Sequence, residues 1–189
     1  LQMPVIYSDN MVLQREKPLR IAGTANAGEK VTVSIAGQKG EAITASDGKW
    51  SVILPPMKAG GPYTLSISAE SGKLDYTNIL IGEVWLCSGQ SNMEMRMMGN
   101  TAQPIDNSLE TLLNAGNYRD RIRFITVPRI KDVQRRADFK KEKWKVSTPE
   151  TTIDCSATAY FFAKQITETL NLPVGLVINS WGGSRIESG

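Results

Sequence analysis

The apolar residues of this chain change their spacing near Leu80, and that change separates two kinds of structure. Before Leu80, short alternating or β-branched runs occur at Leu19-Ile21, Val31-Val33-Ile35, Trp50-Val52-Leu54 and Tyr63-Leu65-Ile67. Turn residues separate them: Ala27-Gly28-Glu29, Gly37-Gln38-Lys39-Gly40, Ser46-Asp47-Gly48 and Gly60-Gly61-Pro62. Strands recurring every 8 to 12 residues or so, with no helical pattern between them, predict a small antiparallel β-sandwich over residues 1–80.

After Leu80 the runs are longer. Ile122 to Val127, closed by Pro128, reads as a strand. Ala159, Phe162, Ala163, Ile166 and Leu170 then recur at helical spacing and make an apolar stripe wide enough to pack on a sheet. Asp154 or Ser156 can cap that helix, and Asn171-Leu172-Pro173 ends it. Val174-Gly175-Leu176-Val177-Ile178 is nearly unbroken in its apolarity, as in a strand covered on both faces of a parallel sheet. Residues 81–189 are therefore expected to open an α/β domain that is incomplete. Its last strand and one sheet face lack partners, so association with a complementary chain, or self-association over the edge, is expected.

Composition narrows the classes. Hydrophobic residues at 41% and charged residues at 22% are ordinary for a globular chain, which excludes disordered and disulfide-scaffold classes. The net charge of +3 gives no support to nucleic-acid binding, and the basic stretch Arg135–Lys145, interrupted by Asp138 and Glu142, reads as a solvated face. No apolar stretch approaches the ~20 residues of a membrane span. The chain opens at Leu1 with no charged and apolar leader, compatible with a leader already removed, and the expected location is secreted or periplasmic. Cys87 and Cys155 have no His or second Cys nearby, so neither a metal nor a redox motif is expected; they read as two small buried hydrophobes or as one disulfide. No phosphate-cradling or dinucleotide motif occurs, and no cofactor is expected.

The chemistry concentrates at Gly89-Gln90-Ser91-Asn92-Met93, immediately after the apolar run Val84-Trp85-Leu86-Cys87. A serine between the carboxyl end of a strand and the start of a helix stands where open α/β sheets place reactive groups, beside backbone N–H donors that can hold an oxyanion. Gln90 and Asn92 add side-chain amides to the same turn. Capping the helix is the plainer role for Ser91. The second constellation is Asn179-Ser180-Trp181-Gly182-Gly183-Ser184, after the last apolar strand; paired glycines at 182 and 183 admit a substrate oxygen to a backbone N–H, and equally suit a tight turn. Met93, Met95 and Met97 read as packing, Glu94 and Asp106 as surface groups. A serine nucleophile needs a base, and the chain contains no histidine. It is therefore expected to hold the nucleophile half of a serine esterase, with the base elsewhere. The competing class is a noncatalytic carbohydrate-binding or interaction module, in which Trp50, Tyr63 and Tyr76 stack on sugars if they are exposed.

Four segments resemble, in order, the sialate O-acetylesterases within the SGNH-type serine esterases: Ser8 to Gln14, Gly82 to Met95, Ser156 to Ala163, and Val174 to Glu187. The resemblance implies a β-rich N-terminal domain followed by a flavodoxin-like hydrolase domain that removes O-acetyl groups from sugars. The resemblance favours sialic acid as the carrier of the acetyl group, with acetylated xylan or another plant glycan as the open alternative. By position, Ser91 becomes the nucleophile and one oxyanion donor, and Gly182 or Gly183 the other. Members of that family carry a Gln-Gly-Glu block and an Asp/His pair further along, and these have no counterpart up to Gly189. A complementary C-terminal segment or chain is the implied partner.

Overall fold

In the computed structural model, residues 1–130, 136 and 138–183 are described; Arg135, Ser184 and the stretch out to Glu187 lie outside them. Seven strands come first: β1 (Val12–Gln14), β2 (Leu19–Thr24), β3 (Lys30–Ile35), β4 (Gln38–Ile43), β5 (Lys49–Leu54), β6 (Gly60–Ala69) and β7 (Gly72–Gly89). There follow α1 (Ser91–Glu94), α2 (Ser108–Asn114), a 3₁₀ turn (Ala115–Tyr118), β8 (Ile122–Thr126), β9 (Lys145–Val146), α3 (Pro149–Thr152), α4 (Ala157–Leu170) and β10 (Val174–Ser180).

The four alternating runs form β2, β3, β5 and β6, and in β5 the inward residues are Trp50, Val52 and Leu54. Two expected turns are partly strand. Ala36 and Gly37, both at positive φ, make the whole β3–β4 turn, and Gln38-Lys39-Gly40 already pairs in β4. β4 escapes notice because its half-buried positions, Gly40 and Ala42, are small and leave no apolar alternation. Gly60-Gly61-Pro62 belongs to β6, where the register against β7 slips between Gly60 and Tyr63.

One mixed sheet runs in the order β4-β3-β6-β7-β10-β8-β9, with β1 also on β7, while β2 and β5 form a separate antiparallel pair. β7 joins the antiparallel and parallel parts of the large sheet. Its first part pairs antiparallel with β6, Leu80–Gly82 pair parallel with β1, and Glu83–Gly89 pair parallel with β10. Residue 80 thus falls inside an unbroken strand. β10 lies between β7 and β8, parallel to both, so the last strand is not the uncovered one. The open border is that of β7 itself. The Val84 N–H is met by Gln14 Oε1 at 2.9 Å, and beyond it no described strand pairs the side away from β10, where Leu86 is 69% exposed.

Two apolar cores share this sheet. The first unites Leu19, Ile21, Trp50 and Leu54 of the β2–β5 pair with Val31, Val33, Leu65, Ile67, Ile79 and Ile81 of the large sheet, and extends to Ile125 and Trp144. Trp50 lies inside it, and Tyr63 and Tyr76 pack half-buried against it, so these three rings serve packing. The second core sets Phe124, Leu176 and Ile178 against Ala159, Tyr160 and Ala163 of α4. That helix is capped by the Ser156 hydroxyl, which accepts from the Ala159 N–H, and closed by Asn171 in the left-handed conformation. Its buried face is turned from the expected stripe: Tyr160 and Thr167 point inward, Phe162 and Leu170 outward. The inward polar atoms are satisfied. Tyr160 Oη meets Ser147 Oγ at 2.7 Å, and Thr167 Oγ1 donates to the Leu172 carbonyl at 2.6 Å. Phe162 instead meets Trp85 of β7 edge to face, ring centroids 5.1 Å apart.

Arg123 is fully buried where the two cores meet. Its guanidinium donates to the carbonyls of Arg119 (3.0 Å), Asn10 (3.2 Å) and Asn78 (3.3 Å) and to Asn78 Oδ1 (3.4 Å). Burial pushes its pKa down from the ordinary arginine value, yet the carbonyl oxygens surround a charge that remains. Arg123→Met would strand those oxygens without donors. It is expected to cost about 3 kcal/mol, read as a lower urea midpoint at unchanged slope.

Candidate active site

The β7 ladder stops at Gly89, whose φ of +156° suits glycine, and a Cβ there would come within 3.1 Å of Met93 Cβ. After Gln90 the chain makes one helical turn. The expected helix is only α1, because Met95 leaves helical geometry at ψ 119°. Its first intrahelical bonds run from Glu94 N–H to the Gln90 carbonyl and from Met95 N–H to the Ser91 carbonyl. Ser91, Gln90 and Asn92 are exposed. The Asn92 carbonyl accepts from Thr158 Oγ1 at 3.2 Å, which ties the turn to α4, while Met93 and Met97 pack into the second core.

β10 delivers its following loop to the same place. Ser180 pairs with Gly89, and the Trp181 N–H donates to the Gly89 carbonyl at 3.0 Å. A Cβ built on Gly182 would lie 3.6 Å from Ser91 Cα and 2.5 Å from Glu94 Oε2. A side chain at 182 would therefore meet the Glu94 carboxylate first, while the Ser91 backbone stays at ordinary contact distance. Gly183, at φ +76°, is exposed with open space around it. Parallel pairing thus brings Gly182 beside Ser91, with Gly183 next in the chain.

Glu94 departs from its reading as a surface group. Its side chain is 29% exposed, it accepts the Gly182 N–H, and it pairs with Arg129. Arg129 Nε in turn donates to the Ser180 carbonyl at 3.2 Å. The sequence alone places Glu94 among surface groups and does not single out Arg129. The available signals were that Glu94 falls one helical turn after Ser91, and that Arg129 follows a strand whose carboxyl end meets the same sheet margin. Two clefts, of about 500 and 400 Å³, flank this network and share Val127, Pro128, Arg129 and Ser180 in their walls. Asn179 and Trp181 line the larger, Met93 and Glu94 the smaller. Asp106 is exposed.

Cys87 and Cys155 are free and buried. Burial pushes both thiols above their ordinary pKa, Cys155 furthest. The thiolate is the reactive form, so Cys87 offers no rival nucleophile four residues before Ser91.

No family model matches the chain. Its likeness to a solved carbohydrate acetylesterase from Xanthomonas citri has a TM-score of 0.90 at 32% identity, covering 99% of this chain and 42% of that one. The fold therefore falls in with that of a carbohydrate acetylesterase. The sialate O-acetylesterases of Homo sapiens and Mus musculus are each 33% identical to the chain, over 199 and 200 aligned positions covering 96% of it. This chain belongs to the sialate O-acetylesterase family, and it spans 37% and 36% of the length of those two relatives.

Buried, protonated thiols react slowly. A disulfide-exchange reagent is expected to leave both cysteines unmodified in the native chain and to titrate both after denaturation; rapid native labelling of Cys87 would contradict the burial described.

Proposed function

We propose that this chain carries the nucleophile half of a carbohydrate O-acetylesterase of the SGNH type, acting on an O-acetylated sugar. The observation that carries the reading is an exposed Ser91 at the end of β7 with Gly182 so near that a Cβ built on it would lie 3.6 Å from the Ser91 Cα. In this scheme Ser91 Oγ attacks the acetyl carbonyl and its proton passes to an imidazole supplied by another segment. The sugar oxygen leaves with that proton, and water then releases acetate from Ser91. The Ser91 N–H and an N–H of the glycine pair hold the developing negative oxygen, donors commonly worth about 3 kcal/mol each. Gly183 is the better placed of the pair, since the Gly182 N–H is engaged by Glu94.

The division of labour follows from the same reading. Residues 1–80 act as a sandwich-like scaffold, supported by the shared core of the β2–β5 pair and the large sheet. Residues 81–189 supply the flavodoxin-like part, supported by the parallel run of β7, β10 and β8. The complementary segment docks along the open border of β7, where Leu86 is exposed just before the site. The relatives' names favour an O-acetylated sialic acid as substrate; an acetylated plant glycan fits the same chemistry.

Loss of the imidazole from a serine hydrolase costs on the order of a millionfold in kcat. The isolated chain is therefore expected to show no Ser91→Ala-sensitive hydrolysis of p-nitrophenyl acetate, and a phosphonofluoridate should label Ser91 only once a histidine-bearing complementary segment is added. Fast Ser91-dependent turnover by the chain alone would defeat the missing-base scheme.

A further inference from the structure

We infer that Glu94 is a positioning residue: clamped by Arg129, its carboxylate anchors the Gly182 backbone beside Ser91, so that Gly182 holds the loop in place and is not itself the oxyanion donor. The argument begins with what holds the loop. The β10 ladder against β7 ends at the Trp181 N–H bond to Gly89. Past that bond, the Gly182 N–H is held by a side chain, Glu94 Oε2.

The carboxylate is used at both oxygens. Oε2 takes the Gly182 N–H and Oε1 takes Arg129 Nη2. Arg129 also donates Nε to the Ser180 carbonyl, two residues before Gly182. A closed ring results, from Glu94 through Gly182, Trp181 and Ser180 to Arg129 and back. It ties α1, the loop after β10 and the segment after β8 to one another. Charge-assisted bonds of this kind are shorter and stronger than neutral ones.

Placement gives the ring its consequence. Glu94 lies in the same single helical turn as Ser91, so whatever fixes Glu94 to Gly182 also fixes the spacing between the serine and the glycine loop. Gly182 is absent from the positive-φ glycines, so its conformation alone does not call for glycine. A Cβ at that position would stand 2.5 Å from Glu94 Oε2, the movable end of a side chain. A side chain at 182 would displace the anchor. Gly183, with positive φ and open surroundings, remains as the flexible member.

The inference deepens the esterase reading, but its test does not require turnover. Amide exchange of Gly182 is measured by NMR on the full 189-residue chain, as wild type, Glu94→Gln and Glu94→Ala, with thermal melts alongside. Glu94→Ala is expected to speed Gly182 exchange by about tenfold, the loss of one ordinary hydrogen bond, with protection of core strand amides unchanged. Glu94→Gln keeps an acceptor oxygen and should retain most of the protection. Equal Gly182 exchange in the wild type and Glu94→Ala, in chains that melt alike, would overturn the anchor. If the exchange pattern holds while no complementary segment ever produces Ser91-dependent hydrolysis, the failure belongs to the esterase reading and the anchor stands.

Discussion

A ladder of backbone hydrogen bonds runs the length of β7, first to β6 and then to β10, and the position of Ser91 follows from where that ladder stops. Peptide groups on a strand face opposite sides in alternation. The side that carries β10 along Glu83–Gly89 is therefore fully occupied, while the other is met by β1 and then by the Gln14 amide before it falls open. One strand thus belongs to both cores. Because it cannot bend sharply without breaking its pairing, the antiparallel part of the molecule is a rigid mount for the reactive end.

Arg123 completes that mount from the other side. A lone buried guanidinium would be costly, but here three of the four contacts are backbone carbonyls and the fourth is Asn78 Oδ1, and two of the three residues that supply them, Asn10 and Asn78, sit in the left-handed region. Asn78 Nδ2 also donates to Asn10 Oδ1 at 2.8 Å, which ties the two acceptor residues to each other. Gly175 serves the same closeness in β10: a Cβ there would lie 2.7 Å from Val12 Cβ and 3.2 Å from Trp144. The N-terminal strands and the parallel strands are packed as one body at this seam.

Much of this was legible in the residue order, for reasons that differ by element. β2, β3, β5 and β6 announce themselves because a half-buried strand must alternate, and β10 because a strand covered on both faces must not. β4 was hidden by Gly40 and Ala42. The inward face of α4 was misjudged because hydropathy assigns Phe162 to the interior and Thr167 to the surface, whereas a hydroxyl with a partner is accommodated inside. At the site, Ser91 and the glycine pair are readable as strand-end residues. Glu94 and Arg129 are not, because an isolated charge defaults to solvent, and only the parallel arrangement of β8 and β10 brings the two segments within reach.

The four tryptophans are divided in a useful way. Trp50 and Trp144 are sealed in the first core, at 3% and 4% exposure. Trp85, 43% exposed on the free margin of β7, and half-buried Trp181, directly after β10, are the indoles nearest the reactive end. Anything that settles along that margin withdraws Trp85 from water and shifts its emission toward the blue, against a steady background from the sealed pair. The molecule thereby carries its own optical sensor for occupancy.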